Sequence, residues 1–260
     1  MSFNVKGLNS PHKRKALWTD AIKFGSDVVC IQEYHFAKDK TPTFKHHNFP
    51  HIFLSSNERK KKKGVAIAIK DTVSFQQIDL KTDTQGRYII LVATLDNVTY
   101  TIVNIYAPNK NPHQFIQKVI GKTRKIQKGH LLICGDFNAP MDPDMDTSKK
   151  GKAPRKGLSN IFSAEDLYDP WRCLHTTEKD FTFFSNVHKT YSRIDYFITD
   201  KNLLTKVANA SIHNLTWSDH APIALDINSN QNCPNNYLWR NNTYILSQEK
   251  HRSVMKKGLK

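Results

Sequence analysis

The segment Leu131–Pro140 constrains the fold of this chain more than any other feature of the sequence. Four apolar residues run into Gly135, and Asp136 and Asn138 then stand two positions apart before the proline. This order is typical of a buried strand that delivers polar groups to its end. Residues two apart in an extended chain point to the same side, so Asp136 and Asn138 can act on one ligand. The alternative is an Asx-rich turn after a core strand.

Other apolar segments also stop at polar residues. Val28–Ile31 runs into Gln32 and Glu33, and Thr101–Ile105 runs into Tyr106 and Asn109. Ser218, Asp219 and His220 open the strand-like segment Ile223–Ile227. Strands that repeatedly end in this way predict one polar site at the rim of a sheet.

Composition narrows the class of partner. The formal net charge of +16 predicts a polyanion, with nucleic acid as the leading candidate. An anionic membrane surface is the weaker alternative, because no amphipathic basic helix, lipidation signal or apolar run of roughly 18 residues is present in the sequence. The N-terminus does not resemble a signal peptide, and the four cysteines lack CxxC spacing, which is typical of reduced thiols in an intracellular protein.

The first thirty residues predict a crossover unit. A short strand at Phe3–Val5 precedes a helix that starts at Ser10-Pro11, and a second strand follows at Val28–Ile31. Such units have parallel strands, so Asn4 and Glu33 are expected to lie near one another.

Strands and helices continue to alternate as far as residue 228. The predicted elements are strands at Gly64–Ile69, Tyr88–Leu95 and Val98–Tyr106 (the last two as a hairpin), a helix from about His113 to Lys128, a helix around Leu158–Asp169, and strands at Phe181–Phe184, Arg193–Thr199 and Ile223–Ile227. This pattern predicts sheets covered by helices, α+β or α/β in class.

Three polar stretches fall outside that pattern. Arg59–Lys63 is either a solvated loop or a patch for phosphate contact or nuclear targeting, and Asp142–Lys156 is predicted to be a polar loop. A domain boundary is predicted near residue 228. Residues 229–260 are expected to form a basic tail or linker toward a missing downstream domain.

Seven motifs, taken together, carry a family resemblance. They are Phe3–Ser10, Ile31–Glu33, Asn104–Asn109, Gly135–Asn138, Phe181–Ser185, Tyr191–Tyr196 and Leu215–Pro222. In this order they resemble the exonuclease/endonuclease/phosphatase superfamily and, within it, the endonuclease domain of LINE-type non-LTR retrotransposons. The resemblance implies an α/β fold, a four-layered DNase I-like sandwich in which two packed β-sheets are flanked by helices.

The resemblance also implies roles for single residues. Glu33 would be the principal metal ligand, helped by Asn4 and Asp219, and such oxygen ligands suit Mg²⁺, with Mn²⁺ as the alternative ion. Asp136 would orient or deprotonate the attacking water, and Asn138 would hold the phosphate or the nucleophile. These parts match what phosphodiester hydrolysis needs.

A second group of catalytic residues follows from the same resemblance. His220, oriented by Asp195, would stabilise the pentavalent phosphorane, and Tyr106 would line the phosphate with Asn109. An Asp bonded to one His nitrogen fixes the tautomer and favours the imidazolium. Asp219 is counted with the catalytic residues as well as with the metal ligands.

Further residues are expected to contact DNA. The predicted set is Asn109, Thr182, Ser192, Ser218, Lys6, Asn186 and His188. The loop Ser185–Thr190 is predicted to choose which DNA is cut through DNA shape; the alternative is a plain exposed hairpin.

One position departs from the repair branch of the superfamily. Abasic-site endonucleases usually have an acidic residue two positions after the first-strand Asn4, whereas this chain has Lys6. A lysine would bind phosphate instead of metal, which makes a second metal ion doubtful.

The sequence therefore predicts a Mg²⁺-dependent endonuclease that nicks one strand of double-stranded DNA and leaves a 3′-hydroxyl. The resemblance implies that this end primes a reverse transcriptase domain beyond residue 260, and a DNA substrate implies nuclear localisation. The alternatives are an exonuclease III-like repair nuclease for abasic sites, a phosphatase of the same superfamily, and a catalytically dead DNA-binding module.

Overall fold

The computed structural model describes residues 1–36, 44–57, 62–148 and 157–228. Within these ranges every helix is too short or too polar to traverse a bilayer. Parts of three predictions lie outside the described residues. They are most of the basic stretch Arg59–Lys63, the basic half of Asp142–Lys156, and the tail at 229–260.

Short strands dominate the described chain. The strands are β1 (Ser2–Asn4), β2 (Val28–Gln32), β3 (His51–Ser55), β4 (Val65–Ile69), β5 (Phe75–Thr82), β6 (Tyr88–Leu95), β7 (Val98–Tyr106), β8 (His130–Asp136), β9 (Leu167–Tyr168), β10 (Phe183–Ser185), β11 (Thr190–Ser192), β12 (Asp195–Asp200), β13 (Val207–Ile212) and β14 (Ile223–Ile227). The helices are α1 (Pro11–Lys23), α2 (Pro112–Arg124), α3 (Ser159–Ala164), α4 (Pro170–Leu174) and α5 (Lys201–Leu204).

Two six-stranded sheets form the body of the molecule. The first has the order β13-β14-β1-β2-β4-β3 and the second β5-β6-β7-β8-β12-β9. In the first sheet β1 pairs with β2 in parallel, and in the second β7 pairs with β8 in parallel. A separate hairpin is formed by β10 and β11.

Successive side chains of the central strands point alternately into two different cores. On β4, Val65, Ile67 and Ile69 belong to the core between the two sheets, whereas Ala66 and Ala68 face the core shared with α1. Strand β8 alternates in the same way between the inter-sheet core and the core beneath α2 and α3. Successive side chains of a strand point to opposite faces, so fully apolar strands serve two cores at once. The result is the predicted four-layered α/β sandwich.

The predicted crossover unit is confirmed. Helix α1 begins at Pro11 and buries Leu17, Trp18 and Ala21, and Gly25 follows it with φ +62°. The chain then enters β2 beside β1. The predicted hairpin of β6 and β7 is confirmed too, with Asp96 and Asn97 both at positive φ, as a type I′ turn requires.

Several predicted boundaries were wrong. The helix expected around Leu158–Asp169 ends at Ala164, because the chain turns at Asp166 with φ +52° and then forms β9 at the edge of the second sheet. The helix α2 ends at Arg124, four residues before the predicted Lys128. Strands β3, β5 and β13 were not predicted.

The region around the predicted strand Arg193–Thr199 also differs from the prediction. Ser192 ends β11 of the separate hairpin, whereas Asp195 begins β12 of the second sheet. Thr182 precedes β10 and lies outside any strand. The two ends of the hairpin therefore approach the second sheet through short irregular segments.

Candidate active site

Strand ends from both sheets meet at one edge of the sandwich. Asn4 ends β1 and Glu33 directly follows β2, whereas Asp136 ends β8. Asp195, the first residue of β12, lies opposite Asp136 in the antiparallel register, and Tyr106 lies opposite Asp136 in the parallel one. The sheet topology thus brings together the polar residues that the sequence pattern singled out.

Asn4 joins the two sheets at this edge. Its Nδ2 donates hydrogen bonds to Glu33 Oε1 at 3.0 Å and to Asp136 Oδ2 at 2.9 Å, and its Oδ1 accepts one from the Lys6 amide at 3.1 Å. The side chain is fully buried. Asn4 therefore sets the spacing between two carboxylates from different sheets.

Glu33 is held ionised. It has φ +57°, and its second oxygen, Oε2, lies 2.9 Å from His35 Nε2. Burial by itself raises the pKa of Glu33, but hydrogen bonds from His35 and Asn4 outweigh it and lower the pKa to about 2. The sequence prediction missed His35, although its position two residues after Glu33 was the available signal.

Asp136 is more deeply buried than Glu33, and its pKa lies near neutral pH. Its Oδ1 accepts a hydrogen bond from the Asn138 amide at 2.8 Å. Burial raises the pKa of Asp136 to about 7, even though the positive charge of His220 lowers it. Asn138 has φ +50°, and its Nδ2 donates to the Ala107 carbonyl at 2.8 Å and to Asp136 Oδ2 at 3.3 Å.

Asp195 and His220 form a buried pair. His220 Nδ1 lies 2.8 Å from Asp195 Oδ2, and its Nε2 lies 3.9 Å from Asp136 Oδ2. Burial by itself lowers the pKa of His220, but the charge and hydrogen bond of Asp195 outweigh it and raise the pKa to about 9. The imidazolium is therefore the dominant form at neutral pH.

Thr182 contacts this pair. Its hydroxyl donates to Asp195 Oδ2 at 2.6 Å and accepts hydrogen bonds from the amides of Ile194 and Asp195, each at 3.1 Å. The residue is fully buried. The predicted contact of Thr182 with a DNA phosphate stays a prediction.

Two other predicted DNA contacts also bind the protein itself. The carbonyl of Ser192 accepts a hydrogen bond from the Thr182 amide at 3.0 Å, and Ser218 Oγ donates to the Asn4 carbonyl at 2.8 Å. Both residues are half-buried. Asn109, Asn186 and His188 are exposed, the last two in the turn of the β10–β11 hairpin.

Lys6 and Asp219 form an ion pair at the rim of the site. Lys6 Nζ lies 2.6 Å from Asp219 Oδ2, and the lysine side chain is 61% exposed. Asp219 Oδ1 is buried and has no hydrogen-bond partner within the described ranges. The ammonium group thus neutralises one of the three predicted metal ligands.

Tyr106 completes the polar edge. Burial, together with the charges of Glu33 and Asp136, raises the pKa of Tyr106, so its hydroxyl remains a hydrogen-bond donor. Arg87 packs over its ring, with the guanidinium carbon 5.4 Å from the centroid. Arg87 Nη1 also donates to the Tyr106 carbonyl at 3.1 Å. The sequence prediction did not include Arg87.

The oxygen atoms around Glu33 fit a hard divalent cation. Glu33 is ionised and joined to Asn4, and hard cations prefer carboxylate and amide oxygens. A second candidate group is formed by Asp136, Asp195 and His220, whose potential ligand atoms lie within 4.8 Å of one another. A histidine must be neutral to bind metal, and Asp195 keeps His220 protonated. The Glu33 side of the site is therefore the better candidate.

Known proteins resemble this chain over most of its length. The sequence profile of the Endonuclease/Exonuclease/phosphatase family matches residues 1–220. An uncharacterized 149 kDa protein of transposon TX1 from Xenopus laevis is 23% identical over 259 residues, which cover 95% of this chain and 19% of the transposon protein. The chain thus spans about a fifth of that relative's length.

A bacterial enzyme and a solved structure match more completely. An exodeoxyribonuclease from Bacillus subtilis is 22% identical over 257 residues, which cover 88% of this chain and 98% of the enzyme. The crystal structure of an AP endonuclease from Leishmania major superposes with a TM-score of 0.71 at 16% identity, over 86% of this chain and 85% of that one. At this identity the superposition establishes the shared fold.

Proposed function

We propose that this chain, which belongs to the Endonuclease/Exonuclease/phosphatase family, is a metal-dependent endonuclease that nicks one strand of double-stranded DNA and leaves a 3′-hydroxyl and a 5′-phosphate. One observation carries the proposal: an ionised Glu33, an Asp136 with a pKa of about 7 and a cationic His220 lie in one network, in which Asn4 joins the two carboxylates and His220 lies 3.9 Å from Asp136. These are the groups that phosphodiester hydrolysis requires at one phosphate.

Asp136 is the proposed general base. A carboxylate with a pKa of about 7 accepts a proton at working pH better than an ordinary aspartate does. The Asn4 amide and the Asn138 backbone amide each bond to one of its oxygens, and they fix its orientation toward the attacking water.

His220 is the proposed electrostatic stabiliser. Its Nδ1 is bound to Asp195, so the proton on Nε2 is free to face the phosphate oxygens as negative charge develops there. Thr182 supports Asp195 from behind. Tyr106 adds a hydroxyl donor at the same edge.

Glu33 and Asn4 are the proposed metal-holding residues, with Mg²⁺ as the proposed ion and Mn²⁺ as a substitute. When bound, such an ion neutralises charge on the phosphate oxygens. Asp219 is the weaker third candidate, because its carboxylate already pairs with Lys6.

The DNA substrate is supported by charge and by relatives. A net charge of +16 suits a phosphate backbone and exceeds what a small phosphorylated substrate requires. The relatives include an exodeoxyribonuclease and a transposon protein. We propose that residues 1–228 form the nuclease, that 229–260 lead toward a reverse transcriptase domain, and that the 3′-hydroxyl primes its synthesis in the nucleus.

The rival function is cleavage at abasic sites, which the fold shared with an AP endonuclease favours. Three substrates distinguish the candidates: supercoiled plasmid, a duplex with one abasic site, and an inositol phosphate. Nicked plasmid that a DNA polymerase extends without prior phosphatase treatment is expected. Faster cleavage of the abasic duplex than of a matched intact duplex would favour repair, and turnover of the inositol phosphate alone would favour a phosphatase.

A further inference from the structure

A basic cavity lies next to the candidate active site, between α2 and the loops that precede β6 and follow β7. Its volume is about 300 Å³. The lining includes Arg87 from the loop before β6, Tyr88 from β6, Pro108 from the loop after β7, and Lys118 and Lys122 from α2. No residue of the proposed catalytic machinery lines it, so it is a separate feature of the same edge.

Positive charge dominates this cavity. Arg87, Lys118 and Lys122 face a single lining carboxylate, Asp83, which already accepts a hydrogen bond from the Arg87 amide at 3.1 Å. Among the described residues, no carboxylate oxygen lies within 4.0 Å of a side-chain nitrogen of these three cations, so none of them forms an ion pair. Arg87 and Lys122 are half-buried and Lys118 is exposed. A partly buried cation without a counter-ion is costly, so an anionic ligand would stabilise Arg87 and Lys122.

Neighbouring side chains and backbone hold Lys122 and Arg87 in place. Lys118 and Lys122 are four residues apart on α2 and therefore share one face of the helix. Lys122 Nζ donates to the Tyr88 hydroxyl at 2.7 Å and lies 5.0 Å from the centre of its ring. The Arg87 guanidinium is fixed by the Tyr106 carbonyl and ring, so its planar fork is oriented before a ligand arrives.

The cavity is coupled to the proposed scissile phosphate through Tyr106. The Tyr106 amide donates to the Arg87 carbonyl at 2.7 Å, and the next amide, that of Ala107, donates to the Asp136 carbonyl at 2.8 Å. Pro108, two residues after Tyr106, lines the cavity. Two residues span at most about 7 Å, and phosphates recur about every 3.4 Å of axis along one strand. A DNA strand that places one phosphate at Tyr106 therefore brings a neighbouring phosphate of the same strand to the cavity.

We propose that this cavity binds a phosphate of the cleaved DNA strand that flanks the scissile phosphate, with Lys118 and Lys122 as point charges and Arg87 as a two-pronged donor. The inference rests on the proposed function, because it assumes a DNA strand across the active site. It assigns part of the basic excess to a defined place in the fold.

The test combines lysine-to-alanine substitutions in the protein with the replacement of single charged phosphates in the DNA by uncharged linkages. The pocket variant is Lys118→Ala/Lys122→Ala. The control is Lys23→Ala/Lys201→Ala, which removes two exposed lysines at the end of α1 and the start of α5, at the opposite end of the strands from the candidate active site. Binding to duplexes that each carry one uncharged methylphosphonate linkage is measured by fluorescence anisotropy in EDTA over a range of KCl concentrations.

The wild-type protein and the control are expected to lose affinity at one linkage beside the nick, whereas the pocket variant is expected to be insensitive to that linkage. The slope of log affinity against log salt should fall by about 0.9 for each lost phosphate contact in the pocket variant alone.

Two results would overturn the proposal. One is an equal change of slope in both double variants, which indicates a diffuse charge effect. The other is a pocket variant that keeps the wild-type sensitivity to every linkage. A wild-type protein that neither binds nor nicks any duplex would refute the proposed function itself, and this outcome is distinct from the first two.

Discussion

Asp195→Asn tests the proposed origin of the charge on His220. The substitution removes the carboxylate charge but keeps the size of the side chain. In the wild type that carboxylate accepts from Thr182 at 2.6 Å and pairs with His220 Nδ1 at 2.8 Å. Burial of His220 remains in the variant and still lowers its pKa, whereas the largest contribution that raises the pKa, that of Asp195, is lost; the weaker contributions of Asp136 and Asp219 remain.

The size of the effect follows from the pKa of His220. A pKa of about 9 instead of 6.5 corresponds to roughly 3 kcal/mol in favour of the imidazolium. The imidazolium is present below the pKa and is lost as the pH rises through it. Without Asp195 the pKa should fall toward about 6.5, so at about pH 7.5 roughly a tenth of His220 stays protonated and the rate falls about tenfold. Misorientation of the ring adds to this loss.

The assay is single-turnover nicking of supercoiled plasmid across the pH range. The basic limb of the wild-type profile is expected near pH 9, and that of the variant at about pH 6.5. Asp226→Asn makes the same chemical change at an exposed position of β14 and should leave the profile unchanged. A basic limb that stays near pH 9 in Asp195→Asn would show that Asp195 does not set the charge of His220.

Four other outcomes are expected. Asp136→Ala should lower the nicking rate by about 10² to 10⁴ without changing the circular dichroism spectrum, and half the wild-type rate would contradict the role of general base. Glu33→Gln should raise the Mg²⁺ concentration for half-maximal nicking and leave DNA affinity in EDTA unchanged; an unchanged Mg²⁺ titration would move the ligand role elsewhere. Replacing Asn186–Lys189 with a Gly-containing turn of equal length should redistribute nick positions on a plasmid, and an identical map at an identical rate would exclude the hairpin from recognition. Arg193→Ala removes a buried guanidinium that pairs with Asp169 at 2.7 Å and shares Asp146 with Arg172, so urea denaturation should show a loss of about 3–5 kcal/mol, and a loss near zero would contradict this.

Local patterns predicted much of the architecture. The crossover unit, the β6–β7 hairpin and the polar end of β8 depend on strand alternation, helix caps and turn residues that lie within a few positions of one another. Strands β3 and β13 carry partly exposed, mixed side chains, so their periodicity is weak and their pairing decides their conformation. The end of α3 depended on Asp166, whose positive φ no apolar pattern announces.

The site was predicted as a set of residue types but not as a network. Asn4 and Asp136 form a hydrogen bond although they lie 132 positions apart in the sequence. Thr182, just before the β10–β11 hairpin, forms a hydrogen bond with Asp195, which begins β12 after that hairpin. A hydroxyl in a family motif has the same sequence signature whether it faces DNA or a buried carboxylate. The local sequence alone could not distinguish the two, so the hydrogen bond of Thr182 to Asp195 was not predicted.

The geometry of the site depends on how the two sheets are held in register, because its carboxylates come from both. Behind the Asn4 bridge, Asn104 of β7 donates to the carbonyls of Ile31 at 2.9 Å and Ala66 at 2.8 Å in the first sheet. Gln32 in turn donates to Asn104 Oδ1 at 2.7 Å. An apolar pair at these positions would also fill the core, but dispersion contacts tolerate small slips between sheets, whereas buried amides lose their partners if the sheets slide. The amides therefore fix the distance that the 2.9 Å contact between Asn4 and Asp136 requires.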